Sequence, residues 1–171
     1  MSRATDAPEI AIDLSITCAA WRRALPAAAR IARAAAQAAL AQSGKRIDAA
    51  ELSLVLTDDA TVRELNGRWR GKDAPTNVLA FASDERPARG KRVLLGDVVL
   101  AYQTVAREAE EQRKGLADHL RHLVIHGVLH LLGYDHVKAG PAKRMEALET
   151  RILASLGVAN PYSLDEEPSR G

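Results

Sequence analysis

Hydrophobic and polar positions along the chain predict β-strands in four places. Near the start, Ile10, Ile12, Leu14 and Ile16 recur at every second residue, which is the spacing of side chains on one face of a half-buried strand. Short apolar runs further along indicate three more strands. Together the predicted strands cover residues 10–16, 52–56, 77–81 and 93–101.

Longer segments carry apolar residues at helical spacing and predict five helices. The alanine-rich segment 19–42 is predicted to be mostly helical from near Pro26, because proline suits the first turn of a helix. The sequence Thr57-Asp58-Asp59 offers an N-cap to a helix over residues 60–69. The other predicted helices cover residues 102–113, 116–132 and about 145–156, with glycines at positions 115, 133 and 157 marking their ends.

The elements form one predicted domain over residues 1–171, with loose tails at residues 1–8 and 160–171. A chain of this length, 47% apolar and 27% charged, has enough apolar material for one core. No run approaches the roughly 18 uncharged apolar residues that a membrane-spanning helix needs. The single cysteine, Cys18, has no internal disulfide partner, and the start does not read as a secretory signal, so we expect a cytoplasmic protein without a membrane partner.

Positive charge is concentrated in the first half of the chain. The net charge is only +2, but residues 19–92 hold 14 lysines and arginines against 8 acidic residues. Two interpretations fit this excess: a polyanionic partner such as RNA, or a set of solvated helix faces. The charge pattern alone favours the second.

All five histidines fall within residues 119–136, and they carry the clearest chemical signal. His126 and His130 are four residues apart, so their rings lie one above the other on a helix. Gly133 can adopt the left-handed conformation that ends the helix, after which the chain can fold back and bring His136 to the same place. Three imidazoles suit one Zn²⁺ ion and leave a fourth position open, as in catalytic zinc sites.

The remaining residues of this segment keep several interpretations. His119 lies about 10 Å along the helix from His126, too far to share its ion, and His122 lies one turn away. Substrate contact, support of a ligand and simple packing remain open for both. Asp135 is a candidate to orient a ligand ring, although a turn-forming role is simpler. Iron, nickel or copper also bind three imidazoles.

One position argues against a peptidase. The familiar zinc peptidase motif has glutamate directly after its first histidine, as the general base. Here that position is Gly127. The sequence therefore disfavours peptide hydrolysis, and a metallohydrolase of another substrate class stays as an alternative.

At this point the sequence resembles a known family. The segment His126 to His136, HGVLHLLGYDH, is similar to the signature of the YbeY family of bacterial endoribonucleases. Other blocks that fit this family are Leu65-Asn66, Arg70 to Asp73, Pro75 to Phe81, Leu95 to Val99, Met145 to Glu149 and Asn160 to Tyr162. The resemblance covers residues 65–162 and is weak over the first third. Ala80 and Ala82 stand where the family is expected to have serine and proline, and the basic linker 82–92 carries no family feature.

The resemblance implies a fold and a function. The expected fold is mixed α/β (α+β), with about four strands in a mixed sheet, about five helices around it, and the histidine helix at the centre. The implied activity is a zinc-dependent endoribonuclease that prefers single-stranded RNA. It would act in ribosomal RNA maturation, near the 3′ end of the small-subunit RNA, and in ribosome quality control. Its expected partners are RNA and the ribosome or small subunit with associated factors, and DNA is not expected.

The same resemblance implies roles for individual residues. His126, His130 and His136 correspond to the ligands of one zinc ion, and Arg70 corresponds to a basic residue implicated in catalysis. Arginine suits that role because it can contact two phosphoryl oxygens at once and keeps its charge. Two nucleophiles fit, a zinc-activated water or the 2′-hydroxyl of the RNA.

Several further residues are weaker candidates for RNA contact. We single out Arg68, Lys72 and His122, while Arg63, Arg86, Arg89, Lys91 and Arg92 are more simply solvated charges. Trp69 or Tyr134 could stack on a base. Trp69 lies on the apolar side of its helix, however, so we predict that it packs in the core. Thr76 and Asn77 either bind substrate or begin a strand. A ribosome-binding factor with a purely stabilising metal is the main non-enzymatic alternative.

Overall fold

Four strands and six helices make up the described part of the molecule, a computed structural model that describes residues 9–71, 76–85, 90, 92–134 and 139–162. The strands are β1 Glu9–Ile16, β2 Ala49–Thr57, β3 Val78–Ala82 and β4 Arg92–Ala101. The helices are α1 Ala19–Ala24, α2 Ala28–Gln42, α3 Asp59–Arg70, α4 Tyr102–Glu111, α5 Leu116–Leu131 and α6 Ala139–Ser155. No helix in these ranges is long and apolar enough to cross a membrane.

The strands form one mixed sheet in the order β1-β2-β4-β3. The pairs β1–β2 and β2–β4 are parallel, and β3 runs antiparallel to β4. Parallel neighbours need a crossover: α1 and α2 lie in the connection from β1 to β2, and α3 and β3 lie in the connection from β2 to β4. The expected four-stranded mixed sheet is confirmed.

The main core lies between one face of the sheet and the helices α2 and α5, which also pack against each other. Helix α2 turns a row of alanines inward, and Ala32, Ala35, Ala36 and Ala39 are fully buried. Small side chains let two helices approach closely, so the alanine-rich segment brings α5 into the core. The histidine helix is therefore central, as expected.

Gly127 sets how closely α5 approaches the sheet. A Cβ atom at this position would come within 2.7 Å of Cγ1 and 3.2 Å of Cγ2 of Val98 on β4. Both distances are shorter than normal carbon–carbon contacts. A glutamate here would push α5 off the sheet, which gives a packing reason for its absence.

Two expectations about the helices need correction. The alanine-rich segment forms two helices, since α1 ends at Ala24 and α2 begins at Ala28, just after Pro26. Trp69 does not pack in the core, because its side chain is 66% exposed. It follows buried Val62 and half-buried Leu65 along one side of α3, but it lines a pocket at the protein surface and is not covered by other side chains of the core.

Candidate active site

The four helical histidines line one side of α5, and the chain turns sharply after them. The helix ends with Gly133 in a left-handed conformation (φ 96°), as predicted. The Gly133 amide donates to the His130 carbonyl at 3.0 Å, and the Tyr134 amide donates to the Leu129 carbonyl at 3.0 Å. These two backbone hydrogen bonds are the pattern of a Schellman cap, which reverses the chain direction. His136 and Asp135 follow this cap but lie outside the described residues.

His126 and His130 lie next to each other on successive turns of α5. Their ring centroids are 4.7 Å apart, with the ring planes at 76°. Both side chains are partly exposed, unlike the apolar residues around them. The predicted proximity of these two rings is confirmed.

A buried carboxylate from α6 holds the first ring of this pair. Glu149 is fully buried, and its Oε2 lies 2.6 Å from Nδ1 of His126. Its Oε1 lies 2.9 Å from Nε2 of His122 and accepts a hydrogen bond from the Tyr162 hydroxyl. Three donors therefore surround one carboxylate.

These contacts keep Glu149 ionised. Burial alone raises the pKa of its carboxyl, but the hydrogen bonds from His122, His126 and Tyr162 and the nearby His126 lower that pKa to about 2. An ionised carboxylate only accepts hydrogen bonds, so both imidazole nitrogens must donate to it. In neutral His126, the proton is then on Nδ1 and the lone pair is on Nε2.

This arrangement fits a metal ligand. Histidines that bind metals usually donate their other ring N–H to a carboxylate or carbonyl, which fixes the tautomer and the ring orientation. His126 with Glu149 has that form, and His130 adds a second imidazole of the type that zinc accepts. Within the described ranges, no three potential ligands lie in metal-binding proximity. The predicted third ligand, His136, is beyond those ranges, so the full ligand set stays a prediction.

The other two histidines are bound to carboxylates rather than to each other. Nε2 of His119 lies 2.9 Å from Oε1 of Glu108, which also accepts a hydrogen bond from Asn77 at 2.9 Å. Burial lowers the pKa of His119, and the hydrogen bond to Glu108 only partly opposes this effect. Its Nδ1 is buried without a hydrogen-bond partner in the described part of the chain, which agrees with a neutral ring.

Arg70 lies at the outer edge of the sheet, where the end of α3 meets β3. Its Nη2 donates to the carbonyl of Ala80 on β3 at 2.8 Å, and its guanidinium lies 5.2 Å from the ring centre of Phe81. Strand β3 packs directly against α5. These are contacts with the edge strand, and among the described residues Arg70 makes no direct contact with the four histidines of α5.

The weaker candidates for RNA contact have mixed surroundings. Arg68 forms a 3.5 Å ion pair with Glu64 on the surface, and His122 is bound to Glu149. Arg92 pairs with Glu51 at 3.1 Å. Lys72 lies outside the described residues, as do Arg86, Arg89 and Lys91. The roles of all these residues stay predictions.

Sequence reasoning missed the carboxylates and one tyrosine. Glu149 shares a helix face with Met145 and Ile152, three or four residues away on either side. An acidic residue in that apolar stripe indicates a buried carboxylate, which needs hydrogen-bond donors from another part of the chain. Tyr162 was assigned to a loose tail, yet its ring packs edge-on against His122 at 5.5 Å and its hydroxyl binds Glu149. Tyr162 is therefore packed against the fold, contrary to its predicted place in a loose tail.

Tyr134, which we considered as a base-stacking residue, has a structural role. Its hydroxyl donates to the carbonyl of Ser43 at 2.5 Å, and the Lys45 ammonium lies 5.0 Å from its ring centre. These contacts join the end of α5 to the loop after α2.

Comparison with known proteins identifies the family of this chain. Residues 16–157 match the family described as Endoribonuclease YbeY. A protein named Endoribonuclease YbeY from Paramagnetospirillum magneticum is 56% identical over 159 residues, which cover 90% of this chain and 95% of that protein. A protein of the same name from Azorhizobium caulinodans is 50% identical, covering 91% of this chain and 98% of its own.

A solved structure supports the fold. The solution structure of a Thermotoga maritima protein aligns over 95% of both chains with a TM-score of 0.51 at 23% sequence identity. The family match covers most of the described residues, including α5 and Arg70. The chain thus belongs to the Endoribonuclease YbeY family.

Proposed function

We propose that this protein is a zinc-dependent endoribonuclease that cuts single-stranded RNA during ribosomal RNA maturation. Its site of action would be near the 3′ end of the small-subunit RNA, with a further role in ribosome quality control. The setting is the cytoplasm, and the partners are the ribosome or small subunit with associated factors. Family membership supports an RNA substrate. The observation that carries the proposal is the His126–His130 pair, anchored by buried Glu149.

His126, His130 and His136 would hold the zinc ion. When bound, zinc supplies a Lewis acid that polarises a phosphoryl oxygen or activates a water molecule. The structure supports two of these ligands through the spacing of the rings and the lone pair on Nε2 of His126. His136 is included because the sequence places it directly after the Schellman cap of α5.

Glu149 works through His126. Its carboxylate holds the Nδ1 proton of His126 at 2.6 Å, so the ring cannot rotate without breaking a charge-assisted hydrogen bond. The carboxylate is itself held by His122 and Tyr162. The ring is therefore set in one orientation before substrate arrives.

Arg70 would neutralise the charge that develops on the phosphoryl oxygens. A guanidinium has five N–H donors, and the Ala80 carbonyl takes one of them. The Phe81 ring below the guanidinium limits its movement. A fixed cation of this kind stabilises a transition state more than a mobile one, because less reorganisation is needed during the reaction.

The decisive experiment measures zinc content and cleavage of single-stranded RNA by the same preparations. In Arg70→Ala, zinc content should match wild type while kcat/KM falls on the order of 10²–10³. Arg33→Ala is the matched control, because Arg33 also donates to a strand carbonyl, that of Ile12, at 2.8 Å. It should retain wild-type cleavage.

Other results would contradict the proposal in different ways. Equal cleavage by Arg70→Ala and wild type would point to a contaminating nuclease. If zinc-loaded wild type binds RNA but never cuts it, the protein is a binding factor whose metal supports the fold. Zinc-dependent cleavage of a peptide library, with RNA left intact, would identify another hydrolase class.

A further inference from the structure

The four histidines of α5, at positions 119, 122, 126 and 130, form what we call the histidine row. A cleft of about 600 Å³ lies beside its N-terminal half, His119 and His122. Its walls come from the end of α4, the start of α5, the residue before β3 and the turn after α6. The residues that matter here are Asn77, Glu108, Arg113, Lys114, His119 and Tyr162. A cavity of this size is within the range of small-molecule sites.

We propose that this cleft is a subsite for one ribonucleotide of the substrate strand, with its phosphate bound by Arg113 and Lys114. The inference rests on the proposed function and extends it along the RNA. His119 and His126 are seven residues apart on α5, or about 10 Å along the axis. A strand with about 3.4 Å per stacked nucleotide covers that distance in about three nucleotides.

The charges in the cleft favour a phosphate at its rim. Of its carboxylates, Glu108 is held by His119 and Asn77, and Glu111 lies 3.9 Å from Arg107. Arg113 forms no ion pair with a carboxylate in the described ranges. Both carboxylates of the cleft therefore already have partners, while the Arg113 guanidinium, which is suited to a phosphate, lies at the rim of the cleft.

The polar groups deeper in the cleft suit a sugar. The Glu108 side chain is 25% exposed and accepts hydrogen bonds, and the Asn77 amide both donates and accepts. A ribose 2′-hydroxyl is both a donor and an acceptor, and it is the group that distinguishes RNA from DNA. Tyr162 closes the cleft on the side of Glu149, where the subsite meets the ligand pair.

The backbone at Arg113 adds an independent observation. Arg113 has φ 56°, and within the described ranges every other residue with positive φ is a glycine. Its amide donates to the Glu110 carbonyl, and the Lys114 amide donates to the Ala109 carbonyl, which together form a Schellman cap. Glycine is the low-strain residue at this position of the cap. An arginine held there at a conformational cost is a reason to look for a function of its side chain.

The test uses the zinc-loaded full chain and a single-stranded RNA of about ten nucleotides. Arg113→Glu should raise KM on the order of tenfold with kcat nearly unchanged, because a contact away from the scissile bond acts on binding. In fluorescence-anisotropy titrations, the slope of log affinity against log salt should fall by about 0.7, the value for one lost phosphate contact on a single strand. Arg113→Gly should lose affinity in the same direction while melting at or above the wild-type temperature, which separates binding from folding.

Arg23→Glu is the matched control, since Arg23 is an exposed arginine on α1, outside the cleft. It should leave KM and the salt slope as in wild type. Equal losses in Arg23→Glu and Arg113→Glu would mean unspecific attraction and would overturn the subsite. Wild-type RNA affinity in Arg113→Glu would overturn it as well, with the proposed function intact. If wild type binds RNA through Arg113 without cutting it, the subsite stands and the proposed activity fails.

Discussion

The two halves of the histidine row differ in the carboxylates that neighbouring helices place beside them. His119, with its side chain only 4% exposed, is bound to Glu108 of the preceding helix. His126 and His130 are partly exposed, with their rings edge-on and their centroids 4.7 Å apart, and Glu149 of α6 orients the first of them. All belong to one stripe of one helix. Helical spacing thus collects the imidazoles, whereas carboxylates from α4 and α6 decide what each ring can do.

His122 belongs to both halves. It donates to the same carboxylate that holds His126, at 2.9 Å, but its Nδ1 is buried without a hydrogen-bond partner among the described residues. Its contact with Glu149 places it behind the proposed ligand pair His126 and His130 rather than in it. Exposure of the rings therefore increases along the row, from buried His119 to partly exposed His126 and His130.

The largest difference between the two halves is expected when one ring is removed from each. His130→Ala should lower zinc affinity by more than the roughly 100-fold upper limit for a residue that only supports a ligand, because a proposed ligand itself is lost. His119→Asn keeps a hydrogen-bond donor near Glu108 and should leave zinc affinity within a few-fold of wild type. Competition titrations with a chromophoric chelator measure both.

The control for this pair is the melting temperature of the metal-free variants. His119→Asn should melt at a lower temperature than wild type, and metal-free His130→Ala should stay close to it. A zinc loss in His119→Asn as large as that in His130→Ala would mean that the two halves act as one site, contrary to the comparison.

A smaller effect is expected when the carboxylate behind the ligand is neutralised. Glu149→Gln retains the size of the side chain but removes the charge that holds the His126 Nδ1 proton. Zinc affinity should fall by about 10- to 100-fold, the usual cost of losing such a partner. The Nδ1–H resonance of His126, followed by ¹⁵N NMR in metal-free protein, should also shift or broaden.

Glu146→Gln provides the matched control, because Glu146 lies on the same helix with its side chain exposed. It should change neither zinc affinity nor the imidazole spectrum. Wild-type zinc affinity in Glu149→Gln would show that the buried carboxylate serves folding alone.

The same contrast explains what the sequence could predict. Period-two alternation in residues 10–16 and the four-residue spacing of His126 and His130 are local signals, and both gave correct geometry. The glycine stop at Gly133 is local as well. Each depends only on backbone geometry within a few residues, so no knowledge of the rest of the fold was needed.

What failed depended on distant contacts. Trp69 shares a helix side with Val62, but whether a position on that side is buried depends on which distant parts of the chain pack over it. Glu149 is 23 residues from His126 in sequence, and only the packing of α6 on α5 brings them together. Gly127 stands in the position of the zinc-peptidase base, and its close approach to Val98, which adds a packing reason for glycine, is visible only in the folded structure.

The smallest effect concerns the buried end of the row and its pH dependence. Burial lowers the pKa of His119 below 6.5, with Glu108 opposing and Lys114 and His122 reinforcing this direction. Between the folded pKa and 6.5, the unfolded chain binds a proton that the folded chain does not. His119 therefore stabilises the fold fully above pH 6.5, and this contribution is lost as pH falls, by at most about 1.4 kcal/mol per pH unit.

Urea unfolding of metal-free wild type and His119→Asn between pH 5 and 7 isolates this proton. The variant lacks the titrating ring, so its free energy of unfolding should fall less steeply towards pH 5 than that of wild type. Parallel curves would mean that His119 becomes protonated in the folded state, with Glu108 accepting an ion pair. The two halves of the row would then both carry charge at mildly acidic pH, and the buried half could no longer be described as a neutral support for the chemical half.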